Sequence, residues 1–410
     1  ERVLELLNRY GVRYVVAGAT ERGQPGWAPS NPGEQMTEYA EGVFRQAMRE
    51  AFRSGTTVLY EVTDTISGTG QPPPPPAAAT PTPGGPVVAP TIDSNATPVA
   101  LFTRSSVGAN PGQWNLPRGI ARDAEGNFYV VDTANFRVQK FDPEGTFILS
   151  FGSKGNGDGQ FNPYSDEAIG SGPGGIAVDA QGNVYVADTW NHRIQKFDSE
   201  GKFLLKWGQF INLADPVSAA EGGADVKFFG PRGVAIGPDG NVYVTDTGNK
   251  RVLVFTPDGE PVGEIGSQVT PEKTSSGYAY NGPQEFNEPV GIAADGAGNV
   301  YVADTNNRRI QKIGPDALEI TQWPVPAGMW EPVPYNEPFL AVDEAGNVYA
   351  TAPAGKAVLK FGPDGQVAGQ KSDDGSGALV RPTGIWADAD GTVYVVDTEG
   401  NSIVRMGTVP

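Results

Sequence analysis

Acidic and basic residues recur in this chain at one fixed spacing. Asp132, Asp188, Asp246 and Asp304 stand five residues before Arg137, Arg193, Arg251 and Arg309, and Asp397 opens a related segment in which Ser402 replaces the arginine. A carboxylate ending a strand can accept backbone N–H groups in an Asx turn, and an arginine starting the next strand can pair with a nearby acid. That is architectural chemistry. His192 is the single histidine and there is no cysteine, so a histidine-based zinc site, a Ser-His-Asp relay and thiol chemistry are excluded on residue count. No metal site is assigned. Calcium held by backbone carbonyls and a few aspartates is the one cofactor left open, and no contiguous EF-type loop is present. Arg118 and Arg232, each just before a glycine, could hold an anion or a carboxylate, or simply offset nearby acids.

These residues belong to a repeat. Residues 175–197 read as three short strands, at 175–178, 184–187 and 193–197, separated by a Gly-Asn turn and an Asp-Thr-x-Asn turn. Aligned on a Pro-x-Gly opening, copies start at Gly119, Gly175, Gly233 and Gly291, with a degenerate one at Leu340 and a sixth at Gly384. The spacings are 56, 58, 58, 49 and 44 residues. A period of this size with several strands per unit is the mark of a β-propeller, whose blades bury their faces only against one another. The fifth copy lacks the acid and the sixth lacks the arginine, so those blades are expected to be looser or specialised.

The segment Trp190-Asn191-His192-Arg193-Ile194 and its fourfold Asp-Thr-x-Asn-x-Arg context resemble the NHL repeat. The resemblance implies an all-β six-bladed propeller over residues 97–410. The segment near 99–105 matches a fourth-strand position, and the chain ends on a third strand, so the first is expected to complete the last blade and close the ring. Propellers that resemble the amidating lyase use several histidines around zinc, which this chain lacks. A lactonase-like propeller with a calcium site is a further alternative, and no cluster of residues singles it out.

Length variation lies in the connections between repeats, near 152–172, 209–230, 267–288 and 321–337. Insertions on one face mark the expected working surface. They carry Tyr164, Phe210, Tyr278, Tyr280, Trp323, Trp330 and several acids, and Trp190 sits on the adjoining turn. Aromatic platforms beside carboxylates suit a protein or a glycan partner. Phe161, Phe229 and Phe286 recur two or three residues before a proline and are expected to plug the space between blades.

The net charge is −18, about −16 of it outside residues 1–64, which argues against nucleic acid because phosphate contacts need a basic surface. No run of 18 apolar residues occurs, so no transmembrane segment is expected. Residues 1–64 read as helix, strand, helix, strand. The second helix is expected over roughly 38–54, and the strand at 57–62 is expected to run parallel to that at 12–16, giving a small α/β piece that leans on a larger body upstream. Leu7 to Gly18 and Val58 to Val62 resemble the soluble C-terminal end of bacterial multi-pass membrane proteins related to the C-type glycosyltransferases. This implies an extracytoplasmic location and an accessory ectodomain as an alternative function. Residues 65–96 form a Pro-rich spacer, with Thr80 and Thr82 as O-glycan candidates and Asn95 in an N-glycosylation triplet. The first residue being Glu, the chain reads as a fragment or processed product, and docking of the N-terminal piece on a second copy would give a homo-oligomer or filament. The functional expectation is a non-catalytic extracytoplasmic binding or assembly module.

Overall fold

The computed structural model describes the backbone of residues 14–17, 48–54, 57–62, 272–274 and 277–279, and residues 101–102, 107–162, 172–211, 226–266, 282–317, 320–331 and 336–410 in full. The chain divides into two units, Glu1–Gly85 and Pro86–Pro410. Among the described residues no helix is long and apolar enough to cross a membrane.

In the first unit the strands Tyr14–Ala17, Thr57–Val62 and Met48–Ser54 form one antiparallel sheet with Thr57–Val62 in the middle. This corrects two expectations, since 48–54 is strand rather than helix and the strand at 57–62 is antiparallel to the first. The apolar pairs in 43–52 fit a helical face, but only Gly55 and Thr56 separate the run from the next strand. A hairpin pairs the two strands across that short gap, with a bulge at Ala51. The first helix and the Pro-rich spacer lie outside the described residues, as do Asn95, Thr80 and Thr82.

The second unit is a six-bladed propeller. Blade 1 consists of Ile120–Arg122, Phe128–Asp132, Arg137–Phe141 and Phe147–Phe151, paired antiparallel in chain order. Four-stranded sheets of the same order begin at Ile176, Pro231, Pro289 and Leu340. The sixth sheet contains Pro382–Ala387, Thr392–Asp397 and Ser402–Thr408. The core is divided into interfaces between neighbouring blades. One cluster joins Tyr129 and Val131 of blade 1 to Ile176, Val186 and Phe197 of blade 2, and another joins Ile120 and Phe128 of blade 1 to Tyr394 and Ile403 of blade 6.

The Pro-x-Gly opening has a steric cause. A Cβ on Gly175 would lie 2.4 Å from the Arg232 carbonyl oxygen of the next blade, and one on Gly384 would lie 2.0 Å from that of Arg118. The seam between blades 6 and 1 therefore repeats the approach seen at another seam. Its side chains agree, for Thr398 Oγ1 donates to Pro117 O (2.7 Å) as Thr133 Oγ1 donates to Pro173 O (3.0 Å) and Thr247 Oγ1 to Pro289 O (2.6 Å).

Closure of the sixth blade follows the expectation in position but not in secondary structure. Leu101 is buried beneath Gly145, in the place that Phe151 takes under Gly201, Trp207 under Gly259 and Trp323 under Gly365. Its N–H donates to Gly145 O (2.8 Å). Leu101 and Phe102 form a turn rather than a strand, the sixth sheet has three strands among the described residues, and 103–106 lie outside them.

The repeated aspartates clamp connections rather than local turns. Asp132 Oδ1 accepts the N–H of Asn115, seventeen residues earlier (2.8 Å), and Oδ2 accepts from Asn135 Nδ2 (2.8 Å), Arg137 Nε (2.8 Å) and Gln139 Nε2 (3.2 Å). No side-chain capping bond to the following 3₁₀ turn forms, which corrects the Asx-turn reading. Arg193 completes the clamp in blade 2, for it donates to Asp188 (2.7 Å) and to the carbonyls of Asn156, Gly157 and Gln160. Burial pushes the Asp132, Asp188, Asp246 and Asp304 carboxyls above their ordinary range, against the pull of the guanidinium and amide donors. In blade 5, Trp330 replaces the clamp, its indole N–H donating to Thr351 O (2.8 Å). Blade 5 is specialised and well packed, since Ala352, where the acid would stand, is fully buried.

Removing one member of such a buried pair leaves the other charge uncompensated. Asp188→Ala is expected to lower unfolding free energy by about 3–5 kcal/mol, whereas Asp364→Ala in an exposed turn is expected to cost under ~1 kcal/mol. Urea melts of the two variants beside wild type check this, and equal losses would refute the clamp.

Candidate functional site at the channel mouth

The six innermost strands surround a central cavity of about 200 Å³, lined by short apolar segments such as Gly119–Ala121, Ile176–Val178 and Ile385–Ala387. Side chains from the blade-opening segments converge at its mouth. Arg118 opens blade 1, Arg232 blade 3 and Glu337 blade 5, so alternate blades supply the three. Arg118 NH1 lies 3.0 Å from Glu337 Oε2, with both side chains buried, and Arg232 NH1 pairs with Glu337 Oε1. Burial, then the like charge of Arg118, pushes the Arg232 guanidinium down to about 10, against the pull of Glu288. The anion expected at the two arginines is thus a carboxylate of the chain itself.

Beside this triad lies a second cavity of about 380 Å³, lined by Trp190, Arg232, Glu288, Val290, Thr305, Asn306, Asn336 and Glu337. Trp190 is carried on the 3₁₀ turn Thr189–Asn191, and the Arg232 guanidinium stands 5.9 Å from the centre of its ring. Glu288 precedes Pro289 with a left-handed backbone, φ 54°, where blade 3 has Gly230 at φ 64°. A bulky residue before proline is strained there. Asn336 Nδ2 and Oδ1 are both buried and make no hydrogen bond within the chain.

An aromatic group stands on the same side of the blades. The connection after blade 2 folds back as a parallel pair, Gln209–Phe210 beside Lys227–Phe228, and its two phenylalanines diverge. Phe228 is fully buried in the core between blades 2 and 3, while Phe210 remains 52% exposed. The Phe210 ring lies 4.7 Å from His192 and 5.5 Å, edge on, from Phe229. His192 Nδ1 accepts the Gly230 N–H (3.0 Å), which fixes a neutral imidazole, and burial pushes its pKa down to about 4. The plug is therefore Phe228, one residue from the expected Phe229, whereas Phe161 and Phe286 plug as expected.

Of the residues singled out by sequence, Arg118, Arg232 and Trp190 meet at the mouth. Trp323 and Trp330 are core residues, the former packed on Tyr301 and Phe361 and the latter bonded to Thr351, and neither offers a face to a ligand. Tyr164 and Tyr280 lie outside the described residues, and Tyr278 is described only as backbone of the strand Gly277–Ala279. Sequence reasoning missed Glu288, Asn306, Asn336 and Glu337. The one signal for Glu288 and Glu337 was their shared position immediately before a blade-opening proline. Among the described residues no group of three or more His, Asp or Glu could hold a metal ion.

The NHL repeat profile matches residues 115–141, 171–197, 228–255 and 286–313, the segments that build blades 1 to 4. The chain carries four NHL repeats. Its NHL propeller is 29% identical over 280 residues to peptidyl-glycine alpha-amidating monooxygenase B of Xenopus laevis, covering 57% of this chain and 30% of that protein. It is 29% identical over 159 residues to Protein brain tumor of Drosophila melanogaster, covering 39% of this chain and 13% of that one. The chain thus spans less than a third of either relative. Among solved structures, a gluconolactonase from Xanthomonas campestris aligns with a TM-score of 0.50 at 17% identity, over 78% of this chain and 97% of that one, a likeness of fold.

The His192 contact has a pH signature. Its folded pKa lies below the unfolded value near 6.5, so the contribution is intact above about pH 6.5 and is lost as pH falls toward 4. Between pH 7 and 4.5 wild type is expected to lose ~1–3 kcal/mol more than His192→Asn, which tolerates the left-handed backbone but does not titrate. Parallel denaturation curves at the two pH values measure the difference, and indistinguishable losses would remove this role for the imidazole.

Proposed function

We propose that this NHL propeller is a non-catalytic, extracytoplasmic binding module that presents the face of its long connections to a protein partner. The observation that carries the reading is Phe210, an exposed ring supported by His192 and Phe229. A large aromatic side chain held rigid before contact loses little entropy on binding and suits the centre of an interface. The repeated polar residues support it from the other side, because Asp188, Arg193, Gln195 and their counterparts spend their hydrogen bonds on the chain itself. The acidic surface implied by a net charge of −18 favours a partner with a basic or neutral contact patch.

Phe210→Asp tests the assignment. It is expected to abolish capture of partner proteins by cross-linking in the extracytoplasmic fraction of the source cells while changing stability by less than ~0.5 kcal/mol. Ile148→Asp, an exposed position on the outermost strand of blade 1, serves as control and is expected to leave capture intact. The same proteins captured by wild type and Phe210→Asp would overturn the reading.

A further inference from the structure

We propose that the 380 Å³ pocket beside the channel mouth binds one neutral pyranose ring, a small-molecule site that does not include Phe210 although it lies on the same side of the blades. The charges at the pocket cancel. Arg118 and Arg232 are matched by Glu337 and Glu288, so neither a free anion nor a free cation gains a net attraction. What remains is a mixed set of hydrogen-bonding groups. Asn336 offers an unused donor and an unused acceptor, Arg232 Nε is a buried donor without an acceptor, Asn306 adds a second amide, and Glu288 adds a carboxylate. Sugar hydroxyls donate and accept at once, and therefore match such a set better than a carboxylate, an ammonium group or a hydrocarbon.

Trp190 gives the pocket a flat apolar wall, which suits the C–H face of a pyranose. The volume is that of about a dozen waters at roughly 30 Å³ each, which leaves room for one hexose with several waters beside it. Glu288 stands left-handed before proline as Leu116 does before Pro117 of blade 1, φ 54° and φ 51°, so the backbone belongs to the blade opening and what Glu288 adds to the pocket is its carboxylate.

The test is calorimetric titration of the full chain with methyl α-D-mannopyranoside, methyl β-D-glucopyranoside and N-acetylglucosamine, with sodium acetate and inorganic phosphate as anionic probes. At least one pyranoside is expected to bind with a Kd on the order of millimolar or tighter, and the two anions are not. Trp190→Ala and Glu288→Gly are each expected to weaken that binding by about tenfold or more. The thermal midpoint of Glu288→Gly is read beside its binding, because glycine relieves the backbone while Arg232 loses a neighbouring carboxylate, and binding lost at an unchanged midpoint is not a loss of fold. Phe210→Asp should bind the sugar as wild type does, which keeps this result separate from partner capture. No heat from any of the three sugars, saturable binding of acetate or phosphate in their place, or undiminished sugar binding by Glu288→Gly would each overturn the proposal.

Discussion

Close approach of backbone to backbone around the central axis governs this molecule. At Gly175 and again at Gly384 the chain passes so near a carbonyl of the next blade that no side chain fits between them. Proline two residues earlier fixes the approach to that point, and a threonine hydroxyl from the preceding blade donates to the proline carbonyl. Once the axis is set in this way, the outer strands have only one place to lie. The aromatic residues that end several fourth strands then fill the wedge between blades. Leu101 does the same at the last seam, so a ring whose sixth sheet shows three strands still has its final wedge filled.

Burying four ion pairs in such a frame is costly in desolvation and is offset only where every lone pair and every N–H is used. The clamps meet that condition. In blade 2 the Asp188 carboxylate and the Arg193 guanidinium together hold Asn162, Asn191, Gln195 and three connection carbonyls. Their effect is to fix the connections, the chain segments that a propeller leaves free to vary. A rigid attachment for variable loops is what a binding face requires, and it explains why the most regular polar residues of the sequence are the least available to a ligand.

The sequence made the repeated features legible and hid the unrepeated ones. Asp-Thr-x-Asn-x-Arg appears four times at fixed offsets and the opening segments extend the series to six, so blade number, strand order and an architectural role could all be read from the repeat. The partner of Asp132 could not, because Asn115 lies seventeen residues away in a connection that shows no periodicity. Phe228 and Phe229 are adjacent and chemically identical, and only the parallel pairing with Gln209–Phe210 decides which one turns inward. The run before Gly55 carries apolar residues at a spacing that satisfies a helix, and what decided its state was a partner strand two residues farther on, a local hairpin that helical periodicity does not report. Trp330 was misleading for a related reason, since it lies in a long connection yet acts as the missing clamp of blade 5.

The sixfold pattern breaks at the channel mouth. The residue before the blade-opening proline is leucine, glycine, glycine, glutamate, glutamate and arginine around the ring, and the residue after it is arginine in two of the six blades. Identical blades would place identical groups about the axis, and six like charges there would repel one another. Two arginines and one glutamate from alternate blades instead give a buried set that attracts, with Glu288 of an intervening blade beside it. Such an arrangement adds little to stability, since a buried ion pair seldom exceeds a well-packed apolar replacement. Its value lies in direction, because it sets fixed dipoles and charges at the one place where all six blades meet. Trp190 and Asn336 stand next to them for the same reason, each belonging to a segment anchored by its own blade. The channel mouth is thereby the point at which a repetitive scaffold acquires a single, asymmetric address.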